Sequence, residues 1–148
     1  TSHVSKLFLN AKTHKDIIEF RNLHLSSNWV YACLSRFVAN ILQQRLNSLK
    51  HVLKNTKDLV NQLSEVPFHS DARFGKVDIE HFFMTGDPTT LSQLASKPFE
   101  GEPIHWILQR SIYFLLAHQM VLVPTTQTEL RVQKGSGMGL PHSGAVAE

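Results

Sequence analysis

Apolar residues recur every three or four positions through the first third of the chain. From Val30 to Leu53 they follow helical spacing for several turns. This spacing predicts a long helix over residues 28–49, with Ser and Asn side chains at 26–28 available to cap its start. Asn55 predicts the cap of a second helix over 56–64, which Pro67 ends.

Breaks in the pattern divide the rest of the chain into shorter elements. Glycine and proline mark the boundaries, and alternating or helical spacing marks the elements between them. The elements predicted in this way are strands at 6–9 and 73–79, a short helix from Thr89 or Thr90 to Ala95, a helix from Pro103 to about Gln119, and strands at 121–123 and 129–133.

The segment 74–83 carries the first candidate chemistry. Val77 and Ile79 are β-branched and suit a buried strand, and Asp78 between them points to the opposite face. A carboxylate at the end of a buried strand needs a metal, a base or a hydrogen-bond network. Two-metal phosphoryl-transfer sites use carboxylates placed in this way. From these residues alone, a strand whose Asp78 caps a following turn is the favoured interpretation.

Two further segments carry candidate binding groups. Gly135, Gly137 and Gly139 alternate just before a predicted helix start, and glycine lets a backbone approach a ligand closely. The spacing is neither that of a Rossmann motif nor that of a P-loop. The basic cluster 12–15, with Arg21 shortly after it, is suited to holding phosphates. A solvated surface turn is the alternative for the basic cluster.

Composition narrows the class of protein. The 148 residues are 42% hydrophobic and 18% charged, which indicates one globular domain, and the formal charge of +3 permits a polyanionic partner. A single cysteine, Cys33, excludes a disulfide framework, and no apolar run is long enough to predict a membrane span. We therefore expect an intracellular protein, nuclear or cytoplasmic. Because the sequence starts without Met and stops at Glu148, we also expect a piece of a longer chain.

Four stretches in this order resemble the motifs of reverse transcriptases, most closely those of Penelope-like retroelements. They are the basic cluster 12–15 with 20–27, the helical stretch 31–58, the acidic stretch 77–83, and the Gly-rich stretch 133–147. The resemblance implies an α+β fold, the fingers and palm of a polymerase, with helices packed on a small antiparallel sheet. Residues 1–70 are expected to be fingers-like and residues 71–148 palm-like.

The resemblance also implies roles for individual residues. Asp78 would be the catalytic carboxylate and a ligand of both Mg²⁺ ions, with the Ile79 carbonyl as a further ligand. Phe83 would lie beneath the sugar of the incoming nucleotide and favour dNTPs over ribonucleotides. The remaining substrate-binding residues would be Arg21, Lys12 and Lys15 for the triphosphate, and Gly135, Met138 and Gly139 for the base pocket.

The implied function is RNA-templated DNA synthesis, with an RNA template, a DNA primer and dNTPs as partners. The family places its second catalytic carboxylates on an Asp-Asp hairpin after the Gly-rich motif, and no Asp-Asp pair occurs in these 148 residues. We therefore expect the chain by itself to be inactive as a polymerase. Two alternatives stay open: a non-catalytic nucleic-acid-binding remnant of a retroelement, and an α+β domain with an accidental resemblance.

The Gly-rich stretch also departs from the family pattern. Leu140, His142 and Gly144 stand where the family has Ser, Leu and Pro. Asn22 likewise stands where the family has Pro. Two interpretations of these changes stay open: an altered pocket, and a decaying or divergent element.

Overall fold

A four-stranded sheet and five helices make up the fold, as a computed structural model describes it for residues 4–13, 18–49, 51–53, 55–79 and 82–148. The predicted α+β class is confirmed. The strands are β1 (Ser5–Lys12), β2 (Glu19–Leu25), β3 (Met120–Val123) and β4 (Thr128–Arg131). The helices are α1 (Ala32–Leu46), α2 (Thr56–Ser64), α3 (Pro88–Ser96), α4 (His105–Ala117) and α5 (Ser143–Ala147), with short 3₁₀ turns at Phe82–Met84 and Lys97–Phe99.

The sheet is mixed, with the strand order β2-β1-β3-β4. The β1–β2 and β3–β4 pairs are antiparallel, but β1 and β3 are parallel, with Ser5 opposite Val121. The prediction of a purely antiparallel sheet was therefore wrong at the central pair. The helices between β1 and β3 act as a crossover that returns the chain in the same direction, and this arrangement permits parallel pairing.

Strand β2 was not predicted, because residues 19–25 were interpreted only as part of a basic loop. Its side chains are mostly exposed on both faces, and only His24 is buried. A strand without one apolar face lacks the alternation on which sequence prediction depends.

The predicted strand at 73–79 was wrong. Residues 73–79 have no regular structure, Val77 is 92% exposed and Ile79 is 62% exposed. The strand predicted at 129–133 corresponds to β4, which pairs with β3. The propensity of Val and Ile for strands depends on neighbours to pack against, and this segment lacks them. Asp78 consequently lies in an exposed segment, where its carboxylate Oδ1 accepts a hydrogen bond from the backbone N–H of Ile79 at 3.1 Å.

The helices were predicted well, with differences at their ends. Helix α1 covers only Ala32–Leu46 of the predicted 28–49, and its start has no side-chain cap. Ser26, an expected cap, instead donates a hydrogen bond to the Gly139 carbonyl at 3.4 Å. Helix α2 is confirmed with its cap, since Asn55 Oδ1 accepts from the N–H of Asp58 at 3.0 Å.

The core forms around the buried face of α4. Leu108, Ile112, Leu115 and Leu116 are at most 1% exposed. They belong to one cluster of buried apolar side chains that also includes Val38 and Leu42 of α1, Phe99, Trp29, Leu140 and Val146 of α5. Leu140 and Val146 extend the core to the stretch that follows the glycines, so the Gly-rich region is anchored to the helical layer at its C-terminal side.

Two further expectations concern disulfide bonds and membrane-spanning helices. Cys33 is the sole cysteine and is exposed as a free thiol, so the chain has no internal disulfide. Within the described ranges, no helix combines the length and the apolar character needed to cross a bilayer.

Two isoleucines on α4 provide a matched test of this core. Ile112 is fully buried and Ile107 is 45% exposed. We expect Ile112→Ala to lower the free energy of unfolding by about 2–5 kcal/mol, because it leaves a cavity, and Ile107→Ala to lower it by about 0.5 kcal/mol or less. Urea denaturation of both variants measures this. Equal losses would contradict the assignment of the buried face.

Candidate nucleotide-binding cleft

A cleft of about 850 Å³ lies along the free edge of β2. Four separate stretches of the chain contribute to it: the β1–β2 hairpin, the end of the exposed segment at Ile79, the Phe82–Met84 turn, and the Gly-rich segment, defined here as residues 135–139. Its lining residues are Lys12, Glu19, Phe20, Arg21, Asn22, Ile79, Phe82, Phe83 and Met138.

Five of the predicted site residues line this cleft: Lys12, Arg21, Ile79, Phe83 and Met138. They come from stretches as far apart as β1 and the Gly-rich segment, so the fold brings together residues that are distant in sequence.

The other predicted site residues lie outside the lining. Asp78 is the neighbour of a lining residue but is not itself part of the lining. Gly135 and Gly139 belong to the same Gly-rich segment as Met138 but do not line the cleft. Lys15 lies outside the described residues.

The basic side chains reach the cleft from a two-stranded hairpin. The register pairs Lys12 with Glu19 and Asn10 with Arg21. Lys12 Nζ and Glu19 Oε2 are 2.8 Å apart, with the two side chains 24% and 45% exposed. Because β2 is an edge strand, the cleft reaches residues from both faces of the hairpin. Among the residues that the structure describes, the ionised lining side chains are two cations and one carboxylate, with a formal sum of +1.

The aromatic wall is fixed to the Gly-rich segment by backbone hydrogen bonds. Phe82 and Phe83 pack edge to face, with ring centroids 5.3 Å apart. The N–H of Ser136 donates to the Phe83 carbonyl at 2.7 Å, and the N–H of Gly135 donates to the Gly86 carbonyl at 2.8 Å. Phe83 therefore keeps a set position relative to the Gly-rich segment.

His24 of β2 supports the same segment from the other side. The backbone N–H of His24 donates to the Met138 carbonyl at 2.7 Å. A Cβ added to Gly137 would approach the His24 ring to 2.6 Å. Gly139 has a φ of +98°, and a Cβ there would approach the His24 carbonyl oxygen to 2.8 Å. Only glycine fits at these two positions.

The ring of His24 is itself held in place. Ser5 Oγ donates to the Met120 carbonyl at 3.1 Å and lies 3.0 Å from His24 Nδ1. Since the hydroxyl proton is already used, the geometry assigns the ring proton to Nδ1, which donates to Ser5 Oγ. Burial lowers the pKa of His24. The sequence analysis missed this residue; its signal is a histidine among the leucines Leu23 and Leu25.

A second buried histidine, His142, lies within a chain of hydrogen bonds that runs from Ser35 to the Gly137 carbonyl. Ser143 Oγ donates to the Gly137 carbonyl at 2.7 Å, so Ser136 Oγ donates to Ser143 Oγ at 2.6 Å. His142 Nε2–H then donates to Ser136 Oγ at 3.3 Å, and Nδ1 accepts from Ser35 Oγ at 2.8 Å. Ser35 Oγ in turn accepts from the N–H of His142 at 3.2 Å.

This series of hydrogen bonds requires a neutral His142, because Nδ1 has to accept the hydrogen bond from Ser35 Oγ. Burial lowers the pKa of His142 to about 4. The ring also stacks on Trp29, with centroids 6.3 Å apart. His142 is fully buried, so it stabilises the fold and does not face the cleft. Its hydrogen-bond partner Ser35 is a polar residue on the buried face of α1.

The residues around the cleft fit an implied magnesium ion only in part. No group of three or more His, Cys, Asp or Glu side chains suited to a metal occurs within the described ranges. Asp78 is an exposed carboxylate next in sequence to the lining residue Ile79, and Glu19 is paired with Lys12. One carboxylate suits a Mg²⁺ ion that is held largely by the phosphates of a nucleotide, but a two-metal site needs more carboxylates.

Comparisons of this chain with protein family models, curated proteins and solved structures found no match. The assignment of the cleft therefore depends on its own residues and geometry.

We expect the protein to become less stable as the pH is lowered, because His142 is neutral in the folded state. Its folded-state pKa of about 4 is below the ordinary value of 6.5, so the unfolded chain binds the proton more readily. Above pH 6.5 the contribution of His142 to the free energy of unfolding is fully present. It is lost as the pH drops from 6.5 to 4, and the total loss is about 3 kcal/mol. The lowered pKa of His24 acts in the same direction.

Urea denaturation between pH 7.5 and pH 4.5 measures this effect. His142→Gln should flatten the pH dependence, whereas His51→Gln, at an exposed histidine, should leave it intact. An unchanged slope in the His142 variant would contradict the assigned neutral state.

Proposed function

We propose that the cleft binds the triphosphate and sugar of a dNTP, and that the chain is the fingers and palm portion of an RNA-templated DNA polymerase. The observation that carries this proposal is the convergence of Lys12, Arg21, Ile79, Phe83 and Met138 on one cleft. The resemblance to reverse transcriptases implies an active-site role for each of these five residues, which come from stretches distant in sequence. The primer and the RNA template would be the other partners.

Each lining group has a role suited to its chemistry. Arg21 would hold phosphate oxygens through its planar guanidinium, with Lys12 as a second cation. Phe83 would lie under the deoxyribose, where its ring leaves little room for a 2′-hydroxyl. Met138, between Gly135 and Gly139, would contact the base.

Asp78 would share a Mg²⁺ ion with the nucleotide phosphates, through a carboxylate next to the cleft residue Ile79. When bound, that ion would neutralise phosphate charge. Polymerase chemistry needs further carboxylates, which the family supplies from an Asp-Asp pair. For the 148-residue chain we therefore propose binding of substrate without turnover.

Removing the cleft guanidinium tests the proposal. We expect Arg21→Ala to weaken binding of Mg²⁺-dGTP by about tenfold or more, since a hydrogen bond to a charged group contributes about 1.5–3 kcal/mol. Arg110→Ala, on the outer face of α4, serves as the matched control and should bind as the wild type does. Isothermal titration calorimetry measures all three proteins.

Further ligands in the same assay separate the alternatives. Stronger binding of dGTP than of GTP supports a sugar-sensing site at Phe83. Binding of a primer–template with steep salt dependence, but of no nucleotide, would favour the non-catalytic nucleic-acid-binding remnant. That alternative has its own support, because exposed Phe8 and Phe20 lie on the same hairpin as Lys12 and Arg21.

The Lys12–Glu19 ion pair gives a second test, of opposite sign. Glu19 competes with an incoming phosphate for Lys12. We expect Glu19→Gln to strengthen Mg²⁺-dGTP binding by about 1.4- to fivefold, in line with about 0.2–1 kcal/mol for an exposed pair. Glu129→Gln, on exposed β4, is the control and should change nothing. Weaker binding by the Glu19 variant would place the phosphates elsewhere.

A further inference from the structure

Gln119 lies between α4 and β3, away from the cleft lining, and is 1% exposed. A buried amide has to satisfy both of its N–H groups and its oxygen within the protein. Nε2 donates to the Leu116 carbonyl at 3.3 Å and to the Gly135 carbonyl at 3.2 Å. Oε1 accepts from the N–H of Gly137 at 2.7 Å.

Two of these bonds hold the backbone on either side of Ser136. The Gly135 carbonyl and the Gly137 N–H both face Gln119, whereas the N–H groups of Gly135 and Ser136 face the turn that carries Phe83. The Gly-rich segment is thus held on one side by a side-chain amide and on the other by the aromatic wall of the cleft. The bond from His24 N–H to the Met138 carbonyl fixes the next residue.

The main chain of Gln119 adds a connection to the sheet. Its carbonyl accepts from the N–H of Val132 at 2.9 Å, directly beyond β4. The residue is therefore fixed by α4 and by the sheet, and it can impose a position on the glycines, which have little conformational preference of their own.

We propose that Gln119 is a positioning residue for the nucleotide cleft: its amide sets the path of residues 135–137, and through that path the placement of Met138 relative to Phe83. This inference rests on the proposed function. Gln119 does not touch the nucleotide. It acts by holding a glycine backbone that would otherwise sample several conformations.

The first test removes the amide and keeps the size of the side chain. In Gln119→Met, we expect the Gly137 amide to lose protection from hydrogen exchange while the Leu115 amide of α4 stays protected. Mg²⁺-dGTP binding should weaken by about tenfold, because the N–H of Gly137 is left without a partner. Gln43→Met, at an exposed glutamine of α1, is the matched control and should match the wild type in both readouts.

A second variant keeps the test valid if Gln119→Met fails to fold. In Gln119→Glu, the carboxylate still accepts from Gly137 but faces the carbonyls of Leu116 and Gly135 with no proton to donate. A buried carboxyl holds its proton to a higher pH, and the protonated form regains one donor. We expect the dGTP affinity of this variant to recover as the pH is lowered from 8 to 6. The affinity is compared with that of the wild type at each pH, because His24 and His142 also lie near this segment.

The outcomes distinguish this inference from the proposed function. Loss of Gly137 protection with unchanged dGTP affinity overturns the positioning role and leaves the nucleotide site intact. Unchanged protection in Gln119→Met overturns the role of the amide in the same way. A wild-type chain that binds no dGTP overturns the proposed function and this inference with it.

Discussion

The close approach of the Gly-rich segment to β2 is the contact on which the cleft depends. The backbone of residues 137–139 lies against His24 so tightly that a Cβ at Gly137 or Gly139 would overlap it. Backbone hydrogen bonds join His24 to Met138 and, one residue before Gly137, Ser136 to Phe83. A small cluster of glycines thereby joins the exposed hairpin to the helical layer, and the cleft lies between the hairpin, the Phe82–Met84 turn and Met138.

Buried polar groups behind the cleft are fully committed to one another. The hydrogen bonds of Ser35, His142, Ser136 and Ser143 run in one direction and end at the Gly137 carbonyl. A network of this kind specifies one arrangement, because reversing any single hydroxyl leaves a donor or an acceptor unpaired. It ties α1 and α5 to the same glycine that packs on His24, so the stable core and the binding surface share a boundary.

The helical part of the fold could be predicted from the sequence because its signals are local. Asn55 as a cap and the buried stripe of α4 follow from spacing alone. The strand at 73–79 was wrong for the opposite reason: Val77 and Ile79 favour a strand, but pairing depends on a neighbour that the sequence does not identify. For the cleft, the chemical type of Arg21 and Phe83 was readable from sequence. The supporting roles of His24 and Gln119 were not, because they arise from contacts between distant segments.

The parallel pairing of β1 with β3 also bears on how the chain is made. Ser5 bonds to Met120, 115 residues later, so the inner edge of β1 stays unpaired until most of the chain has left the ribosome. At roughly 5–20 residues per second, that delay is about 6–23 s. During this time the backbone of Ser5 and Lys6 presents a free strand edge, which is prone to pairing with other chains. Synthesis of the last fifth of the sequence is therefore what covers the start of β1.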